Sequence, residues 1–204
     1  AAPPAAAAAS PAPAPAPAPA PIPALRVDSV LLTAAHAAQL TEWCPGGAPR
    51  LELLFRATRD GWAGADFHRL CDNQGATVTV VRSTNGNVFG GFADAAWKSP
   101  SSGGGQASAQ AFLFLLVSHE GRAPARMAQI SSNRQCYAMY CGAGYGPTFG
   151  GNHDLTITTN ANANTNSYSN LGETYTLPAG ATNTTVLAGS NSFQVAEYEV
   201  FRVR

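Results

Sequence analysis

The sequence predicts an α+β fold, mainly β: a two-sheet antiparallel β-sandwich flanked by a few short helices. Three observations carry that prediction. Runs rich in β-branched and aromatic residues recur along the chain, bounded by clusters of Gly, Pro, Asn and Asp. Two of those runs, in TVTVVRSTNGNVFGGF, flank Asn85-Gly86, the dipeptide of tight hairpin turns that need positive φ at both central residues. Helical stretches are few and do not alternate with strands, which argues against a βαβ wind and its parallel sheet.

The elements follow in order. TAAHAAQLTEW reads as a helix with Thr33 as N-cap and Ala37, Leu40 and Trp43 on one face, stopped by Pro45-Gly46-Gly47. RLELLFRATRD alternates, predicting a half-buried strand with Leu51, Leu53, Phe55 and Ala57 on its apolar face. Asp60-Gly61 turns the chain into ADFHRLCD, a short helix with Phe67, Leu70 and Cys71 at i, i+3 and i+4. After the Asn85-Gly86 hairpin, SPSSGGGQAS reads as a flexible loop and AFLFLLV as a buried strand. A turn at Glu120-Gly121 leads to strands around RMAQI and QCYAMY, then to DLTIT and the Asn-rich loop NANANTNSYSN. The closing SFQVAEYEVFRVR shifts its apolar parity near Ala196, which predicts a bulge or burial on both faces.

Residues 1–24 are a different material, uncharged and almost entirely Ala and Pro. Alternating Pro fixes φ and keeps each preceding residue out of the helical region, so the tract is expected to be an extended, semi-rigid linker to a domain over residues 25–204. The chain begins without Met and reads as a piece of a longer polypeptide, and its start lacks the basic and leucine-rich parts of a signal peptide.

Charge excludes little but is informative. Lys plus Arg and Asp plus Glu are both 12, and the cations are scattered, leaving no basic stripe for nucleic acid. No run approaches the roughly 20 apolar residues of a membrane span. Cys44, Cys71, Cys136 and Cys141 include no C-x-x-C pair, and a domain of this size needs no staples, so free thiols in a reducing, cytoplasmic compartment are expected. Asn183-Thr184-Thr185 is a lone glycosylation sequon that points the other way.

Several patterns raise chemical questions. Phe89-Gly90-Gly91 and Phe149-Gly150-Gly151 each place two glycines behind a phenylalanine. A phosphate cradle needs G-x-G-x-x-G or G-x-x-x-x-G-K-[ST] between a strand and a helix, and neither pair fits. Glycine inside a strand marks a bulge or a close backbone approach, so both pairs are read as packing devices. His68, Cys71, Cys136, Cys141 and His153 include loose zinc-like spacings, but the apolar face of the helix accounts for Cys71 without metal. NANANTNSYSN lacks the spaced carboxylates of a calcium loop. No G-x-S-x-G elbow is present. Cys71 with His68, three residues apart on one helix, is the candidate for a reactive thiolate and the basis of an antioxidant or peroxide-sensing alternative, opposed by the position of Cys71 on the buried side.

Taken together, LELLFRATRDGWAGADFHRLCDNQGATVTVVRSTNGNVFGGFADAAW resembles the first half of a TLDc domain. SVLLTAAHAAQLTEW is similar to that family's entry helix, and AFLFLLV, YGPTFGGNHDLTI, NTNSYSNLGETY and FQVAEYEVFRV follow its second-half order, so the resemblance covers about Ser29 to Val203. The Asn-rich second half most resembles the variant of protists and algae, in which the domain joins coiled coils or other modules. The resemblance implies a sandwich flanked by helices, no catalytic, metal or cofactor residues, and a role linked to oxidative-stress resistance. It also implies a protein partner. Several members bind the vacuolar-type proton-pumping ATPase, though HDLTITTNANANTN departs from the LWLDEDL type of segment in the pump-binding animal and fungal members. The reading is thus a non-enzymatic interaction module, with pump subunits or a cytoskeletal or ciliary scaffold as partner and no nucleic acid or direct membrane insertion. An extracellular adhesive domain is the further alternative, allowed by the Ala-Pro tract and the sequon.

Overall fold

The computed structural model describes residues 27–46 and 50–204. The linker expected over residues 1–24 lies outside the described residues, as does Gly47 of the first helix stop. The chain runs through helix α1 (Ala34–Trp43), strand β1 (Leu51–Arg56), and short helices α2 (Ala57–Asp60) and α3 (Gly64–Cys71). The hairpin β2 (Thr77–Ser83) and β3 (Val88–Ala93) follows, then β4 (Gly104–Gln106), β5 (Phe112–Val117) and β6 (Ala125–Ala128). A 3₁₀ turn (Ser132–Tyr137) precedes β7 (Met139–Cys141), β8 (Thr148–Phe149), β9 (Leu155–Thr156), β10 (Ser167–Ser169), β11 (Ser192–Phe193) and the long β12 (Val195–Val203).

These strands form two six-stranded antiparallel sheets. The first has the order β1-β12-β2-β3-β5-β6 and the second β11-β10-β9-β8-β7-β4. The first sheet is covered on both faces, which is why β2, β3 and β5 read as continuous apolar runs. On β5, Leu113 and Leu115 point into the core between the sheets, where Phe89, Phe149, Trp97 and Tyr198 also lie. Phe112, Phe114 and Leu116 point the other way, into a second cluster with Val78, Val80 and Leu40 of α1. Thr33 caps α1 as predicted, its hydroxyl accepting the His36 amide at 3.1 Å. The segment ahead of the helix is anchored by the buried Glu199, which accepts from Ser29 Oγ at 2.5 Å, the Val30 amide at 3.1 Å and Arg56 Nε at 2.6 Å.

The structure corrects several details. In β1 the alternation breaks at Leu54: Leu53 pairs with Phe201 and Phe55 with Val200, so an extra residue switches Phe55 to the inter-sheet face while Leu51 and Leu53 face α1. The strand ends at Arg56, and Ala57–Asp60, expected to continue it, is helical because Asp60 Oδ2 takes the Arg56 amide at 2.8 Å. The hairpin is present, but its loop has three residues, closed between Ser83 and Asn87. Only Gly86 (φ 92°) has positive φ in that loop, while Asn85 instead ties the turn to the Ala188 carbonyl through Nδ2 at 2.6 Å. Gly104–Gln106, expected within a flexible loop, pairs with β7. The first half of QCYAMY, Gln135 to Tyr137, is 3₁₀ turn, with strand only from Met139. The parity shift near Ala196 is a bulge, where the register with β2 slips between Val195 and Glu197.

Candidate functional site

The two Phe-Gly-Gly tripeptides meet inside the sandwich. Gly90 and Gly91 lie in the middle of β3, with β2 on one side and β5 on the other. A Cβ on Gly90 would stand 1.9 Å from the Thr79 carbonyl oxygen and 2.8 Å from the Phe114 ring. A Cβ on Gly91 would stand 2.7 Å from the ring of Phe149, the phenylalanine of the second tripeptide. Gly150 follows Phe149 in the β8–β9 turn with φ 91°, and its Cβ would meet the Asp154 carboxylate. Asp154 is buried and accepts the amides of Thr174 and Tyr175, both at 3.1 Å, so Gly150 leaves room for a turn-closing carboxylate. These close approaches to backbone and packed rings are what the packing interpretation expects.

His68 and Cys71 lie on α3 but do different work. Cys71 is fully buried, and burial, reinforced by the Asp72 and Asp60 charges, pushes its thiol far above the usual range. The His68 ring does not turn to it. Nδ1 faces Asp72 Oδ1 at 2.8 Å, and Nε2 donates to the carbonyls of Gly142 (3.1 Å) and Tyr145 (3.0 Å). Gly64 at the start of the helix fits closely beside the same segment, 3.1 Å from the Tyr145 carbonyl oxygen to where a Cβ would lie. His68 is therefore a clamp that holds the Gly142–Tyr145 loop onto α3. The other residues of the zinc-like set are dispersed. Cys136 is exposed and Cys141 buried, the cysteines are free thiols, and among the described residues no three His, Cys, Asp or Glu side chains are grouped to hold a metal ion. The sequon Asn183 is exposed and donates to Asn170 Oδ1 at 2.9 Å.

The loop that His68 clamps carries Tyr145 to the outer face of the second sheet, and there a surface emerges that no local motif announces. Register across five strands aligns Gly105 with Tyr140, Tyr140 with Thr148, Thr148 with Thr156 and Thr156 with Tyr168. On β7 and β10 the residues flanking these tyrosines are buried, so Tyr140 and Tyr168 point outward. His153, from the β8–β9 turn, lies between them, its ring centroid 4.7 Å from Tyr140 and 6.4 Å from Tyr168, and Nδ1 hydrogen-bonded to the Tyr168 hydroxyl at 3.0 Å. Tyr145 packs edge-on against Tyr140 at 4.9 Å and lies 5.6 Å from His153. His153 holds the left-handed conformation (φ 58°), which histidine tolerates better than most side chains.

Glycines floor this surface. A Cβ on Gly103 would stand 2.3 Å from the Tyr140 hydroxyl, and one on Gly105 or Gly151 would press on Tyr137 at 3.0 and 2.9 Å. Tyr137 is 49% exposed and Tyr145 37%. None of the five ring residues carries a fixed charge, and burial pulls His153 below its usual value, which favours its neutral form near pH 7. The arrangement offers ring faces and phenol hydroxyls to an uncharged partner.

A family model described as the TLDc domain matches residues 25–204. No curated protein matches the chain.

Proposed function

We propose, from the premise that the chain belongs to the TLDc domain family, that it serves as a protein-interaction module with no catalytic chemistry of its own. The observation that carries this reading is the aromatic surface on the second sheet, with Tyr137 and Tyr145 exposed and Tyr140, His153 and Tyr168 half-buried. Tyrosines that combine an apolar ring with a hydroxyl, fixed in place by neighbouring groups, are characteristic of binding faces. The thiol alternative has less support, because the Cys71 sulfur is buried and its ionisation opposed. The partner favoured by family resemblance is the vacuolar-type proton-pumping ATPase, with a cytoskeletal or ciliary scaffold as its rival and oxidative-stress resistance as the downstream role.

The test is co-sedimentation of the full chain with purified pump complexes and, separately, with salt-washed cytoskeleton. The reading expects recovery with one of them and at least tenfold weaker recovery for Tyr145→Ala, a change of about 1.4 kcal/mol or more. Equal recovery of Tyr145→Ala would remove the aromatic surface from the interaction, and absence from both pellets would overturn both assigned partners.

A further inference from the structure

We infer that the aromatic face of the second sheet is a docking site for a polyproline II segment, and that its occupant is the Ala-Pro tract of a second copy of this chain. The inference rests on the reading of that face as an interaction surface and goes beyond it, adding an occupant that competes there with the assigned partner.

Three properties of the face match such a segment. Aromatic-lined surfaces take extended Pro-rich chains by packing prolines against ring faces, with hydroxyl or ring N–H groups donating to the bare carbonyls of the ligand. Here Tyr140, Tyr145 and His153 form a mutually packed triangle with centroids 4.7 to 5.6 Å apart, Tyr168 lies 6.4 Å from His153, and Tyr137 stands beside Gly105 and Gly151. In polyproline II geometry, prolines at every second residue rise by about 6.2 Å, a spacing of the same order. Because that helix has three residues per turn while the sequence repeats every two, Pro alternates with Ala along each of its edges. Bound in that geometry, such a sequence presents prolines on every face, and no single register is required.

Charge agrees. Residues 1–24 contain no ionisable side chain, and none of the aromatic residues carries a fixed charge. The contact is driven by ring–proline packing and has little reason to weaken with salt.

The place where the tract joins the fold selects a second copy. Val27, the first described residue, packs against the cluster that holds Leu31, Leu40 and Phe201 on the outer face of the first sheet. That is the opposite side of the sandwich from Tyr140 and Tyr168. To reach its own aromatic face the tract would have to pass round the sheet edge and reverse direction, which alternating Ala-Pro sequence disfavours. A neighbouring copy meets no such constraint. Such contacts are head-to-tail, the tract of one copy on the face of the next, and so allow chains rather than only closed pairs.

The experiment is sedimentation velocity of the full 204-residue chain across a concentration series, with the synthetic peptide ASPAPAPAPAPAPIP (residues 9–23) as competitor. The expected result is concentration-dependent association that the peptide dissolves, while a peptide with every Pro replaced by Ala does not. Tyr145→Ala and Tyr137→Ser should each weaken association at least tenfold without lowering the melting temperature. In parallel, the peptide should shift the His153 and Tyr168 ring resonances of the wild-type chain, a measurement that depends on no variant. A monomer at all concentrations with unshifted rings overturns the inference. A monomer whose rings are shifted by the peptide overturns the second copy as occupant. Loss of association when salt is raised from roughly 50 to 500 mM overturns the uncharged contact. If the peptide is inert but Tyr145→Ala still abolishes recovery with pump or cytoskeleton, the interaction-module reading stands and this inference falls.

Discussion

Substituting Gly90 with alanine tests whether the Phe-Gly-Gly pairs are packing devices. The added Cβ would lie 1.9 Å from the Thr79 carbonyl oxygen, about 1.4 Å inside the roughly 3.3 Å at which carbon and oxygen approach across strands. Thr79 is backbone in the adjacent strand, so relief requires β2 and β3 to separate, and β3 has β5 on its other side. Weakening two ladder hydrogen bonds costs about 1–3 kcal/mol at 0.5–1.5 kcal/mol each. Crowding of the Phe114 ring, 2.8 Å from the new methyl, adds about 1–3 kcal/mol. The entropy that alanine removes from the unfolded chain offsets about 0.4–1 kcal/mol. The net is a loss of about 1–5.6 kcal/mol, or a fall of roughly 2–22 °C in melting temperature for a domain of this size. Near-UV circular dichroism and fluorescence of the buried Trp97 report the transition. Gly104→Ala is the control, because a Cβ there meets nothing within 4 Å, and it should change stability by no more than about 0.5 kcal/mol. A Gly90→Ala chain that melts with the wild type and has lost affinity for inorganic phosphate or a nucleotide would refute the packing argument and restore an anion loop.

Three further outcomes follow from burial and charge. With a bulky disulfide reagent on the native chain, one thiol, Cys136, should react quickly and Cys44, Cys71 and Cys141 only on unfolding; a Cys71 sulfenate formed by peroxide in the native chain would contradict this. Arg56→Ala should cost about 3–5 kcal/mol in chemical denaturation, since it leaves the buried Glu199 without its cation, and should expose the Val30 amide to hydrogen exchange. Burial raises the Asp154 carboxyl above its ordinary value against the pull of the Tyr175 and Thr174 amides, so the folded state holds that proton more tightly than the unfolded one. The stability this provides is present below the ordinary carboxylate value and lost as pH rises through the raised one, so Asp154→Asn should flatten that decline in melts between pH 3 and 7.

The sequence made the first sheet legible and most of the second illegible, for reasons visible in particular strands. β2, β3 and β5 are long and β-branched or aromatic, and they are covered on both faces, so composition alone announces them. The bulge at Ala196 shows because polar residues on either side fix the parity. The bulge at Leu54 does not, because Leu53, Leu54 and Phe55 are all apolar and either parity looks reasonable. The strands of the second sheet are two or three residues long, too short to show a period, and β4 is Gly-Gly-Gln, which on its own reads as linker. The site was hidden for a different reason. His68 drew notice through Cys71, three residues away, whereas its Nε2 serves carbonyls 74 and 77 residues further on. Tyr140 and Tyr168 become neighbours only through three successive ladders. The signal available in the sequence was the density of aromatic residues and glycines from Tyr137 to Phe149.

Glycine beneath an aromatic ring is one device used twice here, and the face it occupies decides what it does. Inside, Gly91 admits Phe149 and Gly90 admits Phe114 against bare backbone, and the result is core density. Outside, Gly103 admits Tyr140, and Gly105 and Gly151 admit Tyr137, with the rings still open to solvent. A ring held against backbone has already lost most of its rotamer freedom in the free protein, so a ligand need not supply that entropy on binding. The His68 clamp has the same effect on Tyr145, fixing its backbone through two hydrogen bonds that no ligand touches. An aromatic surface whose only role was to cover the sheet would gain nothing from being fixed while half exposed, because burial, not rigidity, is what stabilises the fold. Fixing the rings where they stay in contact with water is useful only to something that arrives from solution.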